Sequence, residues 1–215
     1  MKTKTKALGL LMAVVLLVTA TVFGTMAYLT DTQEVVNTFT VGSVAIKLDE
    51  ADVKPDGTYE TIHDSRVQSN SYKLMPGRTY FKDPTVTVLK GSESSYVRML
   101  VTISKAEALK AACGGNFQFD EFFANWDEEN WTLSGTVEDT EADTITCEFR
   151  YKEAVAASDS DVVLDDLFES FTVPGSVTGE QLAALKDMQI TVVAHAIQAD
   201  GFDDADAAWA AFPAV

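Results

Sequence analysis

Histidine, cysteine and positive charge are all scarce in this chain. Its 215 residues include two His, two Cys and 16 Lys and Arg against 33 Asp and Glu. His63 and His195 stand far apart, neither has a second His four positions on, and HExxH does not occur. A catalytic zinc usually asks for three protein ligands and an open position, so no hydrolytic zinc motif is offered. His195 falls in an apolar strand pattern and reads as a satisfied interior residue; His63 falls in a polar stretch and reads as solvated. GxSxG and phosphate-binding glycine loops are also absent, and Gly114-Gly115 alone carries no phosphate argument. The net charge of −17, with no Lys/Arg cluster beyond the N-terminus, excludes nucleic acid and anionic headgroups as natural partners.

The N-terminus has a different character. Lys2, Lys4 and Lys6 precede an uncharged run from Ala7 to Phe23, which ends in Thr25-Met26-Ala27. A basic stretch, an apolar stretch and a small residue before polar sequence form the pattern of a secretory signal cut between Ala27 and Tyr28. The alternative is a retained anchor, since the apolar run sits at the lower edge of what spans a bilayer of ~30 Å. No basic stop-transfer cluster follows, which favours cleavage and an expected secreted location, with membrane contact only before the cut. Losing three lysines from a chain of net charge −17 leaves −20.

Downstream the patterning is mostly of period two. Asn37 to Asp49 reads as a strand whose apolar parity switches at Gly42-Ser43, which requires a bend or an extra residue. Lys54-Pro55-Asp56-Gly57 and Met75-Pro76-Gly77 are turns. Thr58 to Ile62 reads as a returning strand, and Asp64 to Tyr72 as loop. Thr79 to Lys90 reads as a strand in which Pro84 requires an edge or a strand start. Tyr96 to Ser104 alternates strongly. Ser104 and Glu107 have capping-box spacing ahead of a short helix that ends at Gly114-Gly115. The aromatic insert Phe117 to Trp131 reads as a loop or short helix folded onto the sheet, the alternative being a ligand-stacking platform.

Trp131 to Val137 and Thr144 to Lys152 form a hairpin pattern. Thr178 and Gln181 repeat the capping-box spacing, and Gln189 to Gln198 is apolar on both parities, as a central buried strand would be. Asp203 or Asp204 caps a last helix carrying Trp209 and Phe212. Many short strands, few short helices and no βαβ alternation predict a mainly β, antiparallel two-sheet sandwich with helices in its crossovers. The expected division is 1–27 signal peptide, 28–37 a segment freed by cleavage, and 38–215 the β-domain.

Cys113 and Cys147 each fall on the apolar face of an element. They read either as a disulfide, worth ~3–4 kcal/mol by loop closure in an exported protein, or as two buried thiols. Acidic clusters at Asp159/Asp161, Asp165/Asp166 and Asp203/Asp204/Asp206 lack EF-hand spacing. They read as solvated caps and loops, with Ca²⁺ binding as the alternative; no cofactor is expected.

Four stretches carry a resemblance. They are Gly24-Thr25-Met26-Ala27-Tyr28-Leu29-Thr30-Asp31, Asn37-Thr38-Phe39-Thr40-Val41-Gly42, Tyr96-Val97-Arg98, and Ala196-Ile197-Gln198-Ala199-Asp200-Gly201-Phe202 through Trp209. In these the chain resembles the TasA/camelysin family of exported Gram-positive proteins, which are processed by a SipW-type signal peptidase. The resemblance implies a jelly-roll-like sandwich and residence on the cell surface or in biofilm matrix. It also implies fibres built when the N-terminal segment of one subunit completes a sheet of the next. That donor segment here is Tyr28 to about Asn37, with Leu29, Val35 and Val36 as its apolar residues. The expectation is therefore a non-enzymatic structural protein. The alternatives are a camelysin-type surface metalloprotease, for which no motif is found, and a monomeric adhesion module using the aromatic insert.

Overall fold

The structure is a computed structural model that describes residues 42–58 and 65–213, together with Lys6 and Met12. The chain divides into two units, Met1–Thr40 and Val41–Val215. Of the first only Lys6 and Met12 are described, both helical and exposed. The signal peptide, the cleavage residues Ala27 and Tyr28, the donor residues Leu29, Val35 and Val36, and His63 all lie outside the described residues.

The second unit is mainly β, with antiparallel sheets and a few short helices. The strands are β1 (Ile46–Ala51), β2 (Arg66–Val67), β3 (Thr79–Phe81), β4 (Thr85–Val88), β5 (Ser95–Ser104), β6 (Phe123–Ala124), β7 (Trp131–Asp139), β8 (Thr144–Tyr151), β9 (Val162–Val163), β10 (Ser170–Thr172) and β11 (Ile190–Gln198). The helices are α1 (Ala106–Ala112), α2 (Phe119–Phe122), α3 (Gly179–Ala184) and α4 (Ala205–Ala211).

These strands form three sheets, not the two expected. Their orders are β2-β1-β4-β9, β3-β10-β6 and β11-β5-β8-β7. Pro84 is the physical reason for the third. With no N–H to donate, it interrupts what reads as one strand, so that β3 pairs with β10 while β4 pairs with β1. All three sheets contribute to a single hydrophobic core. Val86 and Val88 come from β4, Val97 to Ile103 from β5, Ile145 to Phe149 from β8, and Tyr80, Phe123 and Phe171 from the small sheet. β5 alternates buried and half-buried along its whole length, as its sequence pattern requires.

The aromatic insert packs inward. Phe119, Phe122, Phe123 and Trp131 are buried, and Phe119 contacts Phe123, Phe149 and Phe168 at ring-centroid distances of 4.4, 4.7 and 6.0 Å. The Thr178/Gln181 capping box forms with both hydrogen bonds, at 3.2 and 2.9 Å. The Ser104/Glu107 box does not. Lys105 takes the cap position with φ 59°, and Asp143 from the β7–β8 turn supplies the acceptors, for Ala106 N–H (3.1 Å, from its carbonyl) and Glu107 N–H (3.0 Å, from its carboxylate). The Ser104 hydroxyl instead accepts from Gln189 N–H at 2.9 Å. β2 also forms inside the stretch that reads as loop, and residues 42–45 precede β1 as coil.

Candidate functional site

Among the described residues β11 is an edge strand, not the central strand its composition suggests. It pairs with β5 from Ile190 to Gln198 and, among the described residues, has no partner on its other side. Its second parity is only partly covered: α4 and the segment after it lie against His195, while Val193 stays exposed. There the Arg98 guanidinium lies between the Trp209 and Phe212 rings, 4.6 and 4.8 Å from their centroids. Arg98 also donates from Nε to His195 Nδ1 at 3.2 Å, and the His195 ring stacks on Phe212 at 4.8 Å. A guanidinium only donates, so this bond requires His195 with an unprotonated Nδ1. Partial burial, and then the positive charge of Arg98, lower the His195 pKa below its ordinary value. His195 is thus half-buried and hydrogen-bonded, not fully interior. Arg150 fastens the helix to β8, donating to Asp206 at 2.6 Å and to Glu148 at 2.7 Å.

The free edge of β11 borders a groove of about 1260 Å³ that reaches across to β1. Ile46, Leu48, Leu74, Met188, Ile190 and Val192 supply its apolar lining. Over Ile46–Asp49, β1 pairs only with β4 among the described residues. The other edge of the same sheet, β7, is defended. It carries a bulge between Leu133 and Gly135 and ends in Glu138-Asp139, two devices that discourage edge pairing. β11 has neither a bulge nor a carboxylate or lysine along its length.

At the polar end of the groove lies a cluster of buried charge. Arg66 donates from Nε to Asp49 Oδ1 (2.8 Å) and from Nη1 to Asp83 Oδ2 (2.6 Å). Its Nη2 reaches the carbonyls of Asp49 (3.0 Å) and Asp83 (3.2 Å). Asp83 Oδ1 accepts from Ala51 N–H at 2.7 Å. Burial alone would raise the Asp49 carboxyl, but hydrogen bonds from Lys47 and Arg66 outweigh it and hold the pKa below the usual value. Lys82 and Glu50 form a second ion pair, 6% and 7% exposed, and Asn70 Nδ2 donates to Glu50 Oε1 at 2.9 Å. The charged pair Lys82-Asp83 inside an otherwise strand-like run was the one legible hint. Its partners on β1 and β2 are brought together only by the tertiary fold.

The two cysteines are free thiols in this structure, Cys113 half-buried and Cys147 buried. Burial raises the pKa of both. The acidic clusters cap and pair: Asp161 accepts from Lys90 N–H (2.9 Å), Asp165 Oδ2 from the Tyr151 hydroxyl (3.2 Å) and Asp204 from Ala207 N–H (2.8 Å). Among the described residues no group of three or more His, Cys, Asp or Glu is placed to hold a metal ion. Among them, too, no helix is long and apolar enough to cross a membrane. No family model, curated protein or solved structure matches the chain.

Proposed function

We propose that this is a secreted structural protein of the cell surface or extracellular matrix, with a jelly-roll-like fold, that polymerises by strand donation. The groove beside the undefended edge of β11 is the observation that carries this reading. Its occupant is the segment Tyr28 to Asn37 of a neighbouring copy, released when a SipW-type signal peptidase cuts after Ala27. A ten-residue extended arm spans roughly 33 Å, and nine-residue β11 roughly 30 Å, at about 3.3 Å per residue. Leu29, Val35 and Val36 give the arm apolar side chains for Ile46, Leu48, Ile190 and Val192. Asp31 and Glu34 in the arm are complementary to Lys47 and Lys186 on the groove. Main-chain hydrogen bonds to β11 supply affinity, and the alternating pockets supply register. A head-to-tail contact of this kind is heterologous and propagates into filaments when its rotation does not close a ring.

The test compares protein beginning at Tyr28 with protein beginning at Thr38, by electron microscopy and light scattering at matched concentration. Filaments are expected from the first and monomers from the second. Equal filament formation by both, or a monomeric Tyr28 form at high concentration, refutes strand donation.

A further inference from the structure

We infer that Lys82 and Asn70 become joined by an amide bond within the chain, formed by the protein itself with Glu50 carrying the protons. The inference does not depend on filament formation. It rests on three side chains that the fold brings together from separate segments: Glu50 on β1, Asn70 after β2 and Lys82 after β3.

Glu50 is shared between nucleophile and electrophile. One of its oxygens, Oε2, takes Lys82 Nζ; the other, Oε1, accepts from Asn70 Nδ2 at 2.9 Å. The orientation of the Asn70 amide follows from its remaining partners. Val53 N–H donates to Oδ1 at 3.0 Å and the Ala51 carbonyl accepts from Nδ2 at 2.8 Å, and neither partner can exchange roles. The carbonyl oxygen therefore faces a main-chain donor suited to developing negative charge, while the leaving nitrogen faces an acid. Lys82 is held away from water, with its amine on Glu50. Arg66, Asp49 and Asp83 pair among themselves beside it, so Glu50 is the carboxylate that serves Lys82.

The reaction balances without an oxidant or a cofactor. Glu50 takes one proton from the Lys82 ammonium, and the neutral Nζ attacks Asn70 Cγ. Oδ1 gains charge against Val53 N–H. Glu50 then protonates Nδ2, the Cγ–Nδ2 bond breaks, and ammonia leaves through the groove that Glu50, Asn70 and Lys82 line. The last Nζ proton to be lost remains on Glu50. An ammonium and a primary amide beside a carboxylate become a secondary amide, ammonia and a neutral acid. A buried ion pair is thereby replaced by uncharged groups, which removes the desolvation penalty that opposes such pairs.

The test is the intact mass of the purified, denatured protein, with its first residue fixed by N-terminal sequencing. The expected mass is about 17 Da, one ammonia, below that of the sequence. Trypsin should release a branched product in which Val67–Lys73 is joined to Thr79–Lys90, because the acylated Lys82 is no longer cut. Glu50→Gln and Asn70→Ala should each show the full mass of its own sequence and release Val67–Lys73, Thr79–Lys82 and Asp83–Lys90 as three separate peptides. The wild-type measurement decides even if those variants fail to fold. A full-mass protein, meaning a buried ion pair only, overturns the inference. So does a deficit without branching, which would indicate succinimide formation at Asn70-Ser71. A deficit of about 18 Da with Lys82 linked to Glu50 overturns it equally.

Discussion

Arg66 offers the sharpest test of the buried charge cluster. Arg66→Met keeps much of the apolar stem and removes the guanidinium that stands between Asp49 and Asp83. Two carboxylates, both nearly buried, are then left facing each other without their shared cation. Breaking one side of a buried ion pair costs about 3–5 kcal/mol. A quarter of the Arg66 side chain remains exposed, so water screens part of the interaction, and about 2–4 kcal/mol is the reasoned cost at pH 7. For a domain of this size that corresponds to a fall of about 4–16 °C in Tm.

The pH dependence has a definite sign. In the native protein the Asp49 pKa is depressed below its ordinary value. Its contribution to stability is therefore complete above about pH 4 and disappears as pH falls through the lower folded value. In the variant Asp49 keeps only Lys47, 56% exposed, as its cation, so its carboxyl moves back up and acid relieves its repulsion from the neighbouring carboxylate. The gap between wild type and variant should be widest at pH 7 and should narrow towards pH 3. Urea unfolding followed by tryptophan fluorescence at both pH values measures it. A loss under about 1 kcal/mol at pH 7, or a gap that is the same at pH 3, would refute the assignment of Arg66 as the cation that stabilises both acids.

Three further outcomes are expected. His195, whose folded pKa lies below the ordinary value, makes the fold lose stability as pH falls from about 6.5 towards that lower value; His195→Gln should flatten the wild-type difference between pH 7.5 and pH 5.5 in thermal melts. Gly57 adopts φ +81°, and a Cβ there would lie 2.7 Å from Tyr80 Cα, so Gly57→Ala should cost more than about 1 kcal/mol in chemical unfolding. Intact mass should not change on reduction, and Cys147 should react with a thiol reagent only on unfolding, with Cys113 the faster of the two in the native state.

Elements whose signal is local were legible in the sequence. The alternation of β5, the hairpin β7–β8, the Thr178 capping box and the Asp204 cap all lie within a few residues of their determinants. What failed depended on distant partners. Ser104 lost its expected role because Asp143, brought in by the β7–β8 turn, competes for the same amides. β11 reads as central because its second parity is apolar, yet Val193 on that parity is exposed and only His195 and Ile197 are half-buried. The third sheet follows from a strand interrupted at Pro84, which the proline flagged without saying where each half would pair. The charge cluster was the least legible part of the site. Asp49 and Glu50 are adjacent, so in a strand one of them should face water; the short β2 and the loop after it enclose both, and nothing local in the sequence announces that enclosure.

The corner at Pro84 has a mechanical consequence. β3 and β4 are separated by three residues yet belong to different sheets, and Lys82 and Asp83 within that link are fastened to β1 and β2. Tension applied to either sheet is passed to the other through a link too short to act as a slack tether. Fraying at one end of the second unit is therefore transmitted across it, and that unit should come apart in one cooperative event that leaves no half-open body for proteases to trim.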